Sequence, residues 1–121
     1  MNLLILGDVM GASGRKALSN TLPELIKKFQ IDFVIVNGEN ASDDGKGITQ
    51  EITEEFFKSG VDVITSGNHI WDKKNTIDFI EKEKRLLRPA NLAEGSPGRG
   101  FEIYWSKDKK FKIGVINLMG N

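Results

Sequence analysis

Three short apolar runs recur through the first half of the chain: Leu3 to Leu6, Asp32 to Asn37 and Val61 to Thr65. Compact apolar runs of this length match strands buried on both faces of a parallel sheet. Between them the period changes to that of a helix. Leu18, Leu22, Leu25, Ile26 and Phe29 share one helical face, with Ser13 as the expected N-cap and Lys27 and Lys28 suiting the far end of the dipole. Pro23 lies inside that pattern, so a kink or two shorter pieces are expected. A second helix is expected to start at a Thr49 cap, carry Ile52, Phe56 and Phe57 inward, and stop at Gly60. A third is expected over Lys73 to Lys84, with Ile77 and Ile80 inward.

The second half reads differently. Leu86 to Asn91 is a short strand ending at Pro89, and Gly95 to Gly100 is a loop. Phe101 to Trp105 alternates as a half-buried strand does. Lys107 to Lys110 turns the chain, and Phe111 to Leu118 returns as the partner of an antiparallel hairpin. The fold class is therefore α/β: parallel strands with crossover helices, then an antiparallel hairpin. The phenylalanines, Trp71 and Trp105 are expected in the core or partly buried.

With 121 residues the chain is one domain or part of one. Seventeen basic and 17 acidic residues cancel, which gives no reason to invoke a nucleic-acid or membrane partner. No cysteine is present, so disulfides and thiolate metal sites are excluded. No apolar run reaches the length of a membrane span, and the apolar start reads as a strand ended by Asp8, so a cytoplasmic protein is expected.

Polar groups follow each of the three parallel runs: Asp8, then Glu39-Asn40, then Asn68-His69. In parallel sheets ligands bind outside the carboxyl ends of the strands, so topology brings these loops to one edge. Taken alone, Asp8 reads as a turn residue and Glu39-Asn40 as an ordinary loop. For Asn68-His69, a ligand pair and a hydrogen-bonded helix start are evenly matched. Carboxylate and amide oxygens at three successive strand ends together favour a metal site for phosphoester chemistry, with histidine available to donate a proton. A competing reading is a non-catalytic phosphate- or nucleotide-binding module at the glycine-rich turn and the start of the first helix. That turn lacks the spacing of a Walker A loop.

The motifs Gly7-Asp8-Val9-Met10-Gly11 with Gly14-Arg15, Asn37-Gly38-Glu39-Asn40, Gly45-Lys46-Gly47, Gly67-Asn68-His69-x-Trp71-Asp72-Lys73 and Arg88-Pro89-Ala90-Asn91 occur in order. Together they resemble the YmdB-like metallophosphoesterases, a bacterial branch of the calcineurin-like superfamily. The resemblance implies a calcineurin-like α/β sandwich, present here in part. It implies a metal-dependent phosphodiesterase, similar to 2′,3′-cyclic-nucleotide phosphodiesterases, that attacks phosphorus with a metal-held hydroxide. Two iron or manganese ions are implied. Asp8 and Asn40 would bind the first metal, Glu39 would bridge both, Asn68 would bind the second, and His69 would donate the proton. The substrate would be a small phosphoester, a 2′,3′-cyclic nucleotide or one derived from RNA.

The superfamily's usual Asp-x-His is absent after the first strand, where Met10 stands in the histidine position; the resemblance gives that role to Asn40. Family members also draw histidine ligands from a later segment. The expectation is thus one incomplete domain, 1–121, in a shortened chain that is inactive or weak by itself and exposes a final strand edge to a second copy.

Overall fold

A computed structural model describes residues 1–120. The elements run β1 (Leu3–Leu6), α1 (Gly11–Lys28), β2 (Phe33–Asn37), α2 (Gln50–Ser59), β3 (Val63–Thr65), α3 (Thr76–Ile80), β4 (Phe101–Trp105) and β5 (Lys112–Ile116). The strands β1, β2 and β3 form a parallel sheet in that order, and β4 pairs with β5 in a separate antiparallel hairpin. This is the α/β arrangement that the apolar pattern implies.

β2 and β3 bury both faces because something covers each side, whereas the edge strand β1 leaves Leu3 41% and Ile5 69% exposed, against the expectation of a strand buried on both faces. On one side Val34, Val36 and Ile64 join Leu18 and Leu22 of α1 and Phe56 of α2. On the other, Phe33 and Val63 pack with Leu87 and with Ile113 and Val115 of the hairpin. Residues 33 and 34, adjacent in sequence, therefore enter different cores, as the two-residue period of a strand requires.

The helix ends follow local chemistry. Thr49 caps α2 by accepting from the Ile52 N–H, and Gly60 closes it at φ 109°. At φ above zero glycine carries no Cβ penalty. The expected Ser13 cap of α1 is overturned: the cap residue is Met10, whose side chain makes no capping bond. The Gly11 N–H donates instead to the Asn40 carbonyl at 2.9 Å, so a neighbouring loop satisfies the group a cap would have. α1 also runs through Pro23 as a single 18-residue element.

Two later expectations change. The helix expected over Lys73 to Lys84 shrinks to Thr76–Ile80, and Ile77 is 47% exposed. Its buried face is Thr76, Phe79 and Ile80, with the Thr76 hydroxyl donating to the Ile48 carbonyl at 2.9 Å. A polar inward residue hid that face from hydrophobic spacing. The segment after Leu86 forms isolated parallel bridges, Ile64 with Leu86 and Leu87 with Arg99, in place of a strand.

The hairpin also departs from its half-buried expectation. Phe101, Ile103 and Trp105 point outward with Ile116, all more than half exposed, while Glu102, Tyr104, Ile113 and Val115 face the sheet. Phe101, Trp105, Phe29 and Phe111 therefore lie outside the core expected for the aromatic residues. No helix among the described residues is long and apolar enough to cross a membrane.

Candidate functional site at the carboxyl edge of the parallel sheet

Parallel pairing with β1, β2 and β3 in register brings the three loops after Leu6, Asn37 and Thr65 to one edge. Backbone bonds hold them together. The Val9 N–H donates to the Asn37 carbonyl at 3.2 Å, and the Gly38 N–H donates to the Thr65 carbonyl at 3.0 Å. Asp8 and Asn40 meet directly, with Asn40 Nδ2 donating to Asp8 Oδ2 at 2.6 Å. That bond leaves the Asn40 side-chain oxygen, Oδ1, and the second Asp8 oxygen for another partner.

Glu39 lies deeper. Its Oε2 is buried and has no hydrogen-bond partner. The carboxylate rests against the Cα of Gly67, the residue before Asn68. Gly47, at φ 77°, packs its Cα against the His69 carbonyl and so joins the Glu39 loop to the His69 turn. Asn68 is exposed at the same edge. The loops carrying all five residues expected in the site thus meet at one edge, with Asp8 paired to Asn40 and Glu39 seated against Gly67, the residue before Asn68.

A buried carboxylate oxygen without a donor is costly unless something compensates its charge. A divalent cation is such a group, and the donor set of Asp8, Glu39, Asn40 and Asn68 offers carboxylate and amide oxygens suited to a hard ion. Among the described residues no three of His, Cys, Asp and Glu gather into a metal-holding group. Two of the four expected ligands are asparagines, which would bind a metal through neutral amide oxygens.

His69 is already engaged through Nδ1, which lies 2.8 Å from Asp72 Oδ2. A carboxylate only accepts, so Nδ1 carries the proton in this pair and Nε2 is left outside it. Asp72 was not singled out in the sequence, although its spacing of three from His69 on a turn was a signal available there.

Surrounding side chains hold the rim in place. Arg15 donates to the Ala41 carbonyl at 2.6 Å and to Asp43 at 2.8 Å, and it lies 3.6 Å from Glu55. Lys73 pairs with Asp44 at 2.6 Å, and its hydrogen bond holds the Asp44 carboxyl below the usual range. With Arg15 committed and the Gly11 N–H bonded to Asn40, the start of α1 is not an open phosphate cradle. Asn117, at the end of β5, is buried and donates through Nδ2 to the carbonyls of Ser66 at 2.9 Å and Leu87 at 3.1 Å. Asn91 exchanges two bonds with the Met119 backbone, so the Arg88-Pro89-Ala90-Asn91 motif fastens the chain's end to the scaffold.

The fold and these motifs have close counterparts. The chain is 46% identical over 120 residues to a 2′,3′-cyclic-nucleotide 2′-phosphodiesterase of Bacillus subtilis, a match covering 99% of this chain and 44% of that protein. A crystal structure of a hypothetical protein from Thermus thermophilus superimposes with a TM-score of 0.88 at 33% identity, over 99% of this chain and 45% of that one. The crystal structure of a novel phosphatase from Mycoplasma pneumoniae gives a TM-score of 0.85 at 37% identity, covering 98% and 42%. The chain thus spans less than half the length of these relatives. The profile of the YmdB-like proteins matches residues 4–121, and the chain belongs to that family.

Proposed function

We propose that this chain carries the carboxylate and amide portion of a metal centre for phosphodiester hydrolysis. The observation that carries the reading is the buried, unpartnered Glu39 Oε2, which lies against Gly67 in a loop next to the Asn40 that pairs with Asp8. The Bacillus relative's name supports a 2′,3′-cyclic nucleotide as the substrate class. Asp8, Glu39, Asn40 and Asn68 would hold the divalent ions, and manganese or iron would fit the role. When bound, such ions supply Lewis acidity at the phosphoryl oxygens and an activated water.

The chain's own residues do the remainder. Asp72 fixes the His69 ring so that Nε2 points at the leaving oxygen, and His69 in its protonated form passes a proton to the departing alkoxide. Arg15 and Lys73 immobilise the acidic loop without reaching the substrate. Because the single histidine is engaged with Asp72, the ligands left are oxygens, which bind transition metals more weakly than imidazole-rich sets do. Turnover by these 121 residues alone is therefore weak. The setting is cytoplasmic. The outward apolar face of the hairpin, Phe101, Ile103 and Ile116, offers a second copy a surface beside an open strand edge. Sedimentation velocity across a concentration series checks that self-association.

The test of function is hydrolysis of 2′,3′-cyclic AMP with manganese and with EDTA. The expected result is slow, manganese-dependent turnover lost on chelation and in Glu39→Gln. Hydrolysis undiminished by EDTA contradicts the metal reading, and rapid turnover by this chain contradicts the assignment of weak activity.

A further inference from the structure

Four glycines of this edge and its flanking elements, Gly11, Gly45, Gly47 and Gly60, have φ between 60° and 109°, which by itself selects glycine. Gly67 does not. Its φ lies outside the left-handed region, so its backbone accepts an L side chain. It is also buried. Glycine there answers to a neighbour: a Cβ on Gly67 would lie 2.6 Å from Glu39 Cδ, 2.7 Å from Oε1 and closer still to Oε2. Among the described glycines it is the one whose missing side chain leaves room for a carboxylate. Gly38, also crowded but less so, faces the apolar atoms of Ile64, Ile48 and Phe56 and serves core packing.

We propose that Gly67 is a positioning residue: its bare Cα is the seat that sets where the Glu39 carboxylate stands relative to Asn68. The inference rests on the metal reading for its consequence and on geometry alone for its cause. The Glu39 backbone cannot retreat freely. Its N–H donates to Asn37 Oδ1 at 3.3 Å, and its carbonyl accepts from the Gly47 N–H. Gly67 is held from the other side, since Asn117 donates to the Ser66 carbonyl just before it. With both backbones fixed, a methyl group at position 67 is accommodated by swinging the Glu39 side chain off its seat. The carboxylate then leaves its place against the residue that precedes Asn68. Groups that orient metal ligands typically contribute about 10- to 100-fold to affinity when removed.

The experiment is a double-mutant cycle on manganese binding, read by electron paramagnetic resonance, with Gly67→Ala, Glu39→Asp and the pair together. Glu39→Asp shortens the side chain by one methylene and vacates the space the new methyl needs. The expected result is a loss of about tenfold or more from Gly67→Ala when Glu39 is present, shrinking to within about twofold when Asp occupies position 39. An equal loss in both backgrounds overturns the proposal, as does no loss in either. If Gly67→Ala alone does not fold, the same cycle is read by urea unfolding. Recovery of folding in the double variant supports the seat, and a double variant as damaged as the single overturns it. A crystal structure of metal-free Gly67→Ala separates this idea from the metal reading. A displaced Glu39 side chain upholds the seat even if the wild type binds no manganese. An unmoved one refutes it whatever the metal does. Gly114→Ala, where a Cβ meets nothing within 4 Å, is the control and is expected to bind as the wild type.

Discussion

Asn117→Ala removes a clamp from behind the candidate site, and its effect can be worked from the bonds it breaks. The side chain is 6% exposed and donates through one amide nitrogen to two carbonyls, those of Ser66 and Leu87. The two losses are unequal. The Leu87 carbonyl keeps the Ser66 hydroxyl, which donates to it at 2.7 Å, so that loss is an ordinary hydrogen bond of about 1 kcal/mol. The Ser66 carbonyl is left without that donor in a buried setting, which costs about 1–3 kcal/mol. The sum is about 2–4 kcal/mol, a large share of the roughly 5–15 kcal/mol that holds a domain folded. Asn117→Asp is worse, since it replaces a donor by an acceptor facing two carbonyl oxygens. Urea unfolding measures both, through a lowered midpoint at unchanged slope. A change below about 0.5 kcal/mol for Asn117→Ala, the size of an ordinary surface substitution, refutes the reasoning.

Burial pushes the Asp62 carboxyl up, against the Val34 N–H and Lys107 that favour its ionised form. A carboxyl whose folded pKa is raised holds its proton more tightly when folded, so its contribution to stability declines as pH rises from the unfolded value through the folded one. Asp62→Asn keeps an acceptor for Val34 and should therefore gain stability relative to wild type between about pH 3 and 7 in urea titrations; a gap moving the other way contradicts the assignment. On the hairpin, Ile103→Thr should cost less than about 0.5 kcal/mol, while Ile113→Ala, only 8% exposed, should cost about 2–4 kcal/mol by thermal or urea unfolding; equal costs would mean the faces are misassigned. His69→Gln should lower turnover by about 10²-fold or more yet leave manganese affinity within about twofold, and a parallel loss of metal would make His69 a ligand.

The alternation of apolar runs and helical faces was enough to read the parallel sheet, because β2 and β3 are buried on both sides; the pattern alone did not reveal that the edge strand β1 leaves Ile5 exposed. It misread the hairpin for a physical reason. Phe101, Ile103 and Trp105 hold the apolar alternation, yet they face outward, and Glu102 and Tyr104 take the inner side. Alternation reveals a strand's two faces without saying which one meets the core. The third helix was displaced by the buried Thr76, and the first helix's cap was supplied by a carbonyl 29 residues away in sequence, which no local pattern encodes. The placement of Asp8, Glu39, Asn40, Asn68 and His69 in loops at one sheet edge was legible, because each follows a strand end. Asn117 and the seat at Gly67 were not, since their roles are contacts between segments distant in sequence: Ser66 with Asn117, Glu39 with Gly67.

Anomalous diffraction from crystals soaked in manganese tests the centre of this account most directly. The account predicts a peak bounded by the oxygens of Asp8, Glu39, Asn40 and Asn68, with Glu39 Oε2 among the ligands. Manganese bound elsewhere, with Glu39 still unpartnered against Gly67, would contradict it.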